Sequence, residues 1–282
     1  MIARVLSCAA AISALSVLAI FGFLVWFSLP VFQSGALTAL LSWHWRPTQG
    51  EFGILPMVAG SLFLALPAVL LAFPVAIGLC AFVHGIGPAW AARPLLRIIR
   101  FMTSVPTVVY GLVSAFLLVP LIRSSFSGSG FSWLAALLTL SMLVLPTIVL
   151  ILENQFRLVQ EEIRLGAMAL GFTPIQQLLR LTLPLSARGL LMAAALGFGR
   201  AIGDTMLPLM LAGNAPQLPH SLLDSIRTLT SHIALVVATD SQSATYGSLF
   251  ACGLILFMVS LLVNLGLHCL QSGQSAKNAR SG

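Results

Sequence analysis

The feature that most limits how this chain can fold is a series of six apolar runs, at residues about 8–30, 57–83, 101–122, 133–152, 189–213 and 246–270. Each is near the length of roughly 20 residues that crosses a hydrocarbon core about 30 Å thick at about 1.5 Å rise per residue. Lipid offers no partner for an open backbone group, so every run is expected to be a helix. The expected fold class is an all-α polytopic membrane protein, with one transmembrane domain over residues 1–282. Composition excludes a water-facing alternative: 59% of the residues are hydrophobic and 7% are charged, against about 25% charged in soluble domains. The first run follows Arg4 as a signal peptide would, but its apolar part exceeds the usual length of about 7–15 residues and no small-x-small cleavage site follows. It is read as a span.

An even number of spans places both termini on one side, and the basic residues say which. With the termini inside, the inner segments hold Arg4, Arg93, Arg97, Arg100, Arg157, Arg164, Arg180, Arg188, Lys277 and Arg280, while the outer loops hold Arg46, Arg123 and Arg227. That asymmetry predicts cytoplasmic termini and puts Trp43, Trp45 and Trp133 at the outer interface. Despite the net charge of +7, the cations are scattered singly and make no nucleic-acid patch. Cys8, Cys80, Cys252 and Cys269 sit within or at the ends of apolar runs, with neither metal-ligand nor disulfide spacing, and are assigned to packing. His44, His84, His220, His232 and His268 fall at predicted ends or loops, far apart, so an intramembrane enzyme lacks a catalytic set. Pro67, Pro74, Pro106 and Pro146 each remove a backbone hydrogen bond from spans two to four; the resulting kinks either line a cavity or are ordinary features of a span.

Between spans four and five, the cytoplasmic loop of residues about 153–188 holds Glu161-Glu162-Ile163-Arg164-Leu165-Gly166-Ala167-Met168-Ala169-Leu170-Gly171, then Phe172-Thr173-Pro174-Ile175-Gln176-Gln177. It reads as two short helices. Gly171 suits the left-handed residue that ends the first, while Thr173, Pro174 and Gln176 supply N-cap, N1 and N3 of a capping box that opens the second. On chemistry alone this is either a rigid elbow that projects a docking surface or a solvated surface loop.

Gly197-Phe198-Gly199-Arg200-Ala201-Ile202-Gly203-Asp204-Thr205 lies near the middle of predicted span five and holds the strongly intramembrane charges. Insertion scales put Arg or Asp at a helix centre near 2.5–3.5 kcal/mol each, so such residues face a partner or a water-filled path. Arg200 and Asp204 are four apart and within reach of each other, although Arg before Asp is the less favourable order. Two readings follow. In one, Arg200 presents its guanidinium fork to a tetrahedral oxyanion at the midplane, while Asp204 holds it when the path is empty and can accept the O–H of a protonated phosphate. In the other, the pair ties span five to a neighbouring helix. Gly199 and Gly203 permit close helix approach. The chain has no Gly-x-x-x-x-Gly-Lys-Ser/Thr loop, so ATP hydrolysis is expected on another subunit.

The loop between spans four and five resembles the cytoplasmic loop of importer-type ABC transporter permeases, through Ala167, Gly171 and the downstream Leu181-Thr182-Leu183-Pro184. That resemblance implies the MetI-like permease fold of type I importers, and an elbow that docks on the ATP-hydrolysing subunit as a coupling helix. The candidate coupling residues are then Glu161, Glu162, Ala167, Ala169, Gly171, Thr173 and Pro174. Leu165 and Gly166 stand where the family motif opens with Glu, and Glu161 and Glu162 lie about one turn upstream, so shifted docking contacts are expected.

From about residue 43 to 270 the chain is similar, more narrowly, to phosphate-specific (Pst-type) permeases. The resemblance is carried by Gly199-Arg200-Ala201-Ile202-Gly203-Asp204-Thr205, by Trp45-Arg46-Pro47 with Phe52-Gly53-Ile54-Leu55-Pro56, and by Ser104-Val105-Pro106-Thr107-Val108-Val109-Tyr110-Gly111. It implies a substrate pathway through Arg200, Asp204 and Thr205, with Asp204 where the family has Glu. Ser104 and Thr107 offer hydroxyls either to the anion or to the kinked backbone near Pro106. Permeases for sulfate, molybdate or tungstate resemble the same segment but carry other residues in place of Thr205; they are the alternative reading. The implied setting is a bacterial inner membrane. The implied partners are a dimer of ABC ATPase that holds ATP and Mg, a second permease subunit, related or identical, a periplasmic or extracellular phosphate-binding protein, and membrane lipid. No cofactor or metal is expected on this chain, no nucleic acid is expected as a partner, and its role is transport rather than catalysis.

In the outer loop of residues 214–245, Leu222, Leu223, Ile226, Leu229 and Ile233 recur at helical spacing. An amphipathic stretch along the interface is expected, either receiving the binding protein or closing the bundle as a lid. A secondary anion transporter, the reading from a different class, would show inverted repeats and several intramembrane ionisable groups. This chain shows one charged turn.

Overall fold

The computed structural model describes residues 2–33, 41–46, 49, 51–126, 128–239 and 245–278. Pro47 and Arg280 lie outside the described residues, as do the side chains of His268, Cys269 and Lys277. Helix α1 (Ile2–Gln33) precedes a short antiparallel pair, β1 (Trp45–Arg46) and β2 (Glu51–Phe52), in which Trp45 faces Phe52 and Arg46 faces Glu51. Helix α2 (Leu55–Ala81) runs into a π-helical turn (Phe82–Ile86), followed by α3 (Ala89–Ser104), α4 (Thr107–Ser125) and α5 (Trp133–Ala169). An elbow then carries α6 (Pro174–Gln177), a second π-helical turn (Leu178–Thr182) and α7 (Leu183–Leu185). Last come α8 (Ala187–Gly203), α9 (Met206–Leu211), α10 (Leu229–Thr239) and α11 (Thr245–Asn278).

Among the described residues, four helices are long and apolar enough to cross a bilayer: α1, α2, α4 and α5. The stretch Pro174–Leu185 meets Ala187–Gly203 at 67° and makes a fifth crossing if the bent pair counts as one. The sixth expected run lies in α11, where the apolar piece Leu249–Val263 is described.

Three expected boundaries move, each for a local reason. The third run begins at Thr107 rather than near 101. Pro106 has no N–H to continue a helix and holds Val105 in an extended conformation, so residues 101–104 belong to α3. The fourth run continues to Ala169, so the first helix of the elbow is the end of a 37-residue helix and not a separate element. The fifth run is interrupted, because α8 stops at Gly203 and Asp204 is extended, with φ −73° and ψ 129°. The helices continue through Pro67, Pro74 and Pro146.

Helices α2 and α5 run side by side in the same direction and form the largest helix contact. Three hydrogen bonds mark their register: Trp133 Nε1 to the Phe63 carbonyl at 2.9 Å, Cys80 Sγ to the Val149 carbonyl at 3.5 Å, and Gln160 Nε2 to the His84 carbonyl at 3.1 Å. Buried Ala65, Ala68, Ala72 and Ala76 leave α2 a smooth strip, the kind of surface that lets membrane helices approach closely where lipid supplies no hydrophobic drive. Helix α8 runs the opposite way along α5. A Cβ on Gly189 would meet Gln155, and one on Gly197 would meet Ile148 at 2.8 Å, so α8 is seated by backbone contact at both points. Helix α1 leans on α11 through aromatic pairs, Phe21 on Phe257 at 5.2 Å and Phe27 on Phe250 at 5.0 Å.

At the Trp133 end, the long loop is fastened to the bundle. The carbonyls of Asp224 and Leu222 each accept, at 2.8 Å, from the N–H groups of Trp133 and Leu134, donors that the first turn of α5 leaves open. Ile226 forms a parallel bridge with Gly213, Arg227 Nε donates to the Asn214 carbonyl at 2.7 Å, and Leu229 N donates to Ser61 Oγ at 2.8 Å. Leu222 and Leu223 therefore lie in turns, and helix begins only at Leu229, which corrects the expected amphipathic stretch.

Candidate functional site

Arg200 lies three residues beyond Gly197, whose neighbours on α5 are Val144 and Ile148. Extending that antiparallel register puts Arg200 level with the residues near 142. That is about nine residues, or roughly 13 Å, from Trp133 and so near the middle of a core about 30 Å thick. Its side chain is exposed on the outside of this chain, and among the described residues it has no hydrogen bond and no acid within ion-pair distance.

Asp204 makes no ion-pair contact with Arg200 but remains in electrostatic range of it. The helix ends between them, and Asp204 Oδ2 accepts the Leu207 N–H at 2.9 Å where the chain restarts as α9. An acidic side chain in that role satisfies an open donor and meets the positive end of the new helix. The Asp204 carbonyl accepts from Thr230 Oγ1 at 2.9 Å, so the interrupted run is tied to α10. Thr228 Oγ1 lies 3.0 Å from Thr230 Oγ1 and 3.1 Å from Ser231 Oγ, continuing a buried chain of hydroxyls into α10. Thr205 opens α9 and is partly buried.

Ser104 and Thr107 fall on opposite sides of the Pro106 break, Ser104 exposed at the end of α3 and Thr107 half-buried at the start of α4. Neither hydroxyl makes a hydrogen bond among the described residues; the hydroxyl that bonds the backbone there is Thr103 Oγ1, to the Arg100 carbonyl at 2.7 Å. One turn after Thr107, the Tyr110 hydroxyl donates to the Met102 carbonyl at 3.0 Å and lies within electrostatic range of Arg200. Gly111 brings α4 against α9, where an added Cβ would meet Met210 Sδ at 2.6 Å. Arg200, Asp204, Thr205 and the start of α4 therefore belong to one neighbourhood. Tyr110 and Thr230 join it without having been singled out by sequence. Tyr110 stood inside a quoted segment, whereas nothing marked Thr230, whose partner is 26 residues away.

At the opposite end, α5 closes as expected. Gly171 has φ +70°, Phe172 N donates to the Ala167 carbonyl at 3.0 Å, and Gly171 N donates to the Met168 carbonyl at 3.1 Å. The capping box is complete, with Thr173 and Gln176 bonded reciprocally and Pro174 in the first turn. Ala167 is buried, Ala169 and Glu162 are exposed, and Glu161 pairs with Arg157 at 3.5 Å. The elbow is braced by His84 Nδ1 against Gln160 Oε1 at 3.1 Å and by Gly85 against Leu178. Leu165, Met168, Leu170 and Ile175 are left exposed around it, Leu165 at 75% and Leu170 at 76%.

Residues 78–273, more than half of the chain, match the family described as the binding-protein-dependent transport system inner membrane component. The chain belongs to this family. The permease is 34% identical over 241 residues, 83% of its length and 77% of the relative's, to the probable ABC transporter permease protein YqgH of Bacillus subtilis (strain 168). It is 27% identical over 243 residues, 78% of its length and 76% of the relative's, to the phosphate transport system permease protein PstC of Pasteurella multocida (strain Pm70). Its fold is similar to a chain of the MetNI methionine ABC transporter in an inward-facing conformation, with a TM-score of 0.56 at 16% identity over 75% of this chain and 93% of that one. The all-helical permease fold of a type I importer is thus shown. The protein is a multi-pass inner-membrane transport subunit of an ABC importer.

Proposed function

We propose that this permease carries inorganic phosphate inward, with Arg200 as the cation that meets the anion at mid-membrane. The observation that carries the reading is the Arg200 guanidinium at that depth, exposed and with no acid in ion-pair contact among the described residues, while the Asp204 carboxylate stays within electrostatic range of it. A charge facing lipid there would cost about 2.5–3.5 kcal/mol on insertion scales. It is relieved if the exposed face of α8 lines a water-filled path against a second permease subunit, related or identical. The fork of Arg200 then bonds two phosphate oxygens, and the second oxygen of Asp204, beside the one bonded to Leu207, accepts the O–H of a protonated phosphate. Thr205, Ser104 and Thr107 supply further hydroxyls. Similarity to a phosphate permease supports phosphate over sulfate, molybdate or tungstate.

In the same reading the six apolar runs are six spans and both termini are cytoplasmic. The elbow docks, through its uncovered Leu165, Met168, Leu170 and Ile175, on an ATPase dimer that holds ATP and Mg. Glu161, Glu162, Ala167, Ala169, Gly171, Thr173 and Pro174 shape that docking surface. A soluble phosphate-binding protein delivers the anion to the lid at the other end, where Gln217, His220 and Ser221 are exposed.

Uptake of labelled phosphate by vesicles holding the reconstituted complex tests the cargo. Excess unlabelled phosphate should suppress uptake and excess sulfate or tungstate should not. Suppression by tungstate or sulfate equal to that by phosphate would reject phosphate as the specific cargo.

A further inference from the structure

Helix α3 joins two membrane-crossing helices at the elbow end of the bundle, and its three faces have different chemistry. Ala92 and Ile99 are buried, with Leu95 and Met102 packed on the core beside them. Trp90, Ile98 and Phe101 form a second stripe that is apolar yet 80%, 59% and 71% exposed. Arg93, Arg97 and Arg100 form a third, also exposed. At about 100° per residue the arginines share an arc of roughly 60°, and the apolar trio occupies the next 80° or so.

Among the described residues Arg93 and Arg97 have no acidic partner. Arg100 has Glu153 at 3.9 Å, with its own side chain 61% exposed. In water the apolar stripe would stay uncovered, and in hydrocarbon three cations would be expensive. Both stripes are satisfied at once where a helix lies on the bilayer surface, with aromatic and aliphatic groups among the acyl chains and cations level with the headgroups. The charge of the stripe selects the occupant, because anionic headgroups attract clustered arginines close to the surface and neutral ones do not.

We propose that α3 is a surface-lying anchor whose Arg93, Arg97 and Arg100 bind the phosphate headgroups of anionic phospholipids, with Trp90, Ile98 and Phe101 set into the same leaflet. Two contacts pass this anchoring to the pathway: Arg100 to Glu153 on α5, and Tyr110 on α4 to the carbonyl of Met102 on α3. The leaflet is the cytoplasmic one if the orientation proposed above holds. The headgroup preference requires neither that orientation nor phosphate as cargo.

The test uses the full chain in vesicles of phosphatidylcholine mixed with phosphatidylglycerol, with bromine on the acyl chains of one lipid or the other. Brominated phosphatidylglycerol should quench tryptophan fluorescence more than brominated phosphatidylcholine, and Trp90→Phe should remove the excess. Arg93→Gln with Arg97→Gln should abolish it too, lowering retained phosphatidylglycerol about fivefold per arginine, while Arg180→Gln with Arg188→Gln, an equal loss of charge elsewhere, should leave it. Equal quenching by the two lipids would overturn headgroup recognition. Quenching unaffected by Trp90→Phe would also overturn the proposal, since the apolar stripe would then be covered by protein. Neither readout involves transport, so a negative result here leaves the proposed cargo standing, and a failed uptake assay leaves the lipid result standing.

Discussion

Arg200 and Asp204 stand four residues apart, a spacing that predicts contact on a continuous helix, and the structure ends the helix between them and leaves them in electrostatic range without an ion-pair contact. The reason is that Asp204 has a nearer claim on its carboxylate, the open N–H of Leu207 at 2.9 Å. This division of labour yields distinct expectations for the two residues. Arg200→Lys keeps the charge but loses the fork, and phosphate uptake should fall about tenfold to a hundredfold, the worth of one charge-assisted hydrogen bond. Asp204→Asn keeps an acceptor for Leu207 and should leave thermal stability near the parent while uptake drops. Asp204→Ala should in addition lose about 1 kcal/mol of stability, read from thermal unfolding in detergent. Wild-type uptake in both Arg200→Lys and Asp204→Asn would remove them from the pathway. The two charges could be picked out from sequence because ionisable groups are rare in apolar runs. Their separation could not, since it depends on where the helix stops and on Thr230, which approaches from another segment.

Among the elements, the elbow was the most legible because its geometry is local. Gly171 and the Thr173–Gln176 box each involve residues within a few positions of one another, and both form as the spacing predicts. What precedes them differs from the spacing, since the polar residues from Glu153 onward do not end the helix and α5 continues through them to Ala169. The exposed side chains it carries there lead to a prediction at this scale. Leu165→Asp with Leu170→Asp changes two residues that are 75% and 76% exposed, so the chain should fold and unfold thermally as before. Co-purified ATPase should nevertheless fall at least about tenfold, because the substitutions put charge into an apolar contact. Full retention of the ATPase would place the docking surface elsewhere. Pro106 acts in the opposite sense to the elbow: one proline divides what composition presents as a single apolar run, and so separates α4, long and apolar enough to cross a bilayer, from the shorter α3.

For the whole molecule, α10 brings a titratable group, His232, into the core. Burial, and then the neighbouring charge of Arg227, pushes His232 down from 6.5 to about 4. The unfolded chain therefore takes up this proton near pH 6.5 and the folded chain only near pH 4. Stability from His232 is full above about pH 6.5 and is lost as pH falls from there toward 4. Thermal unfolding in detergent should decline over that window, and His232→Gln should flatten the decline; an unchanged slope would show that His232 is not the group responsible. Its packing, with the ring centroid 4.4 Å from Trp45, joins the β1 segment to α10 across about two thirds of the chain and is not marked in the sequence. By itself, the sequence determined that the chain is a bundle of membrane helices with one charged turn and a capped elbow, because lipid solvation, proline chemistry and capping act over a few residues at a time. Only the tertiary structure decided that Arg200 is exposed without an ion-pair contact among the described residues, that the long loop is stitched to helix ends, and that α3 keeps two stripes uncovered. Each of those depends on which donors, acceptors and surfaces remain after distant segments have packed, a sum that local pattern does not contain.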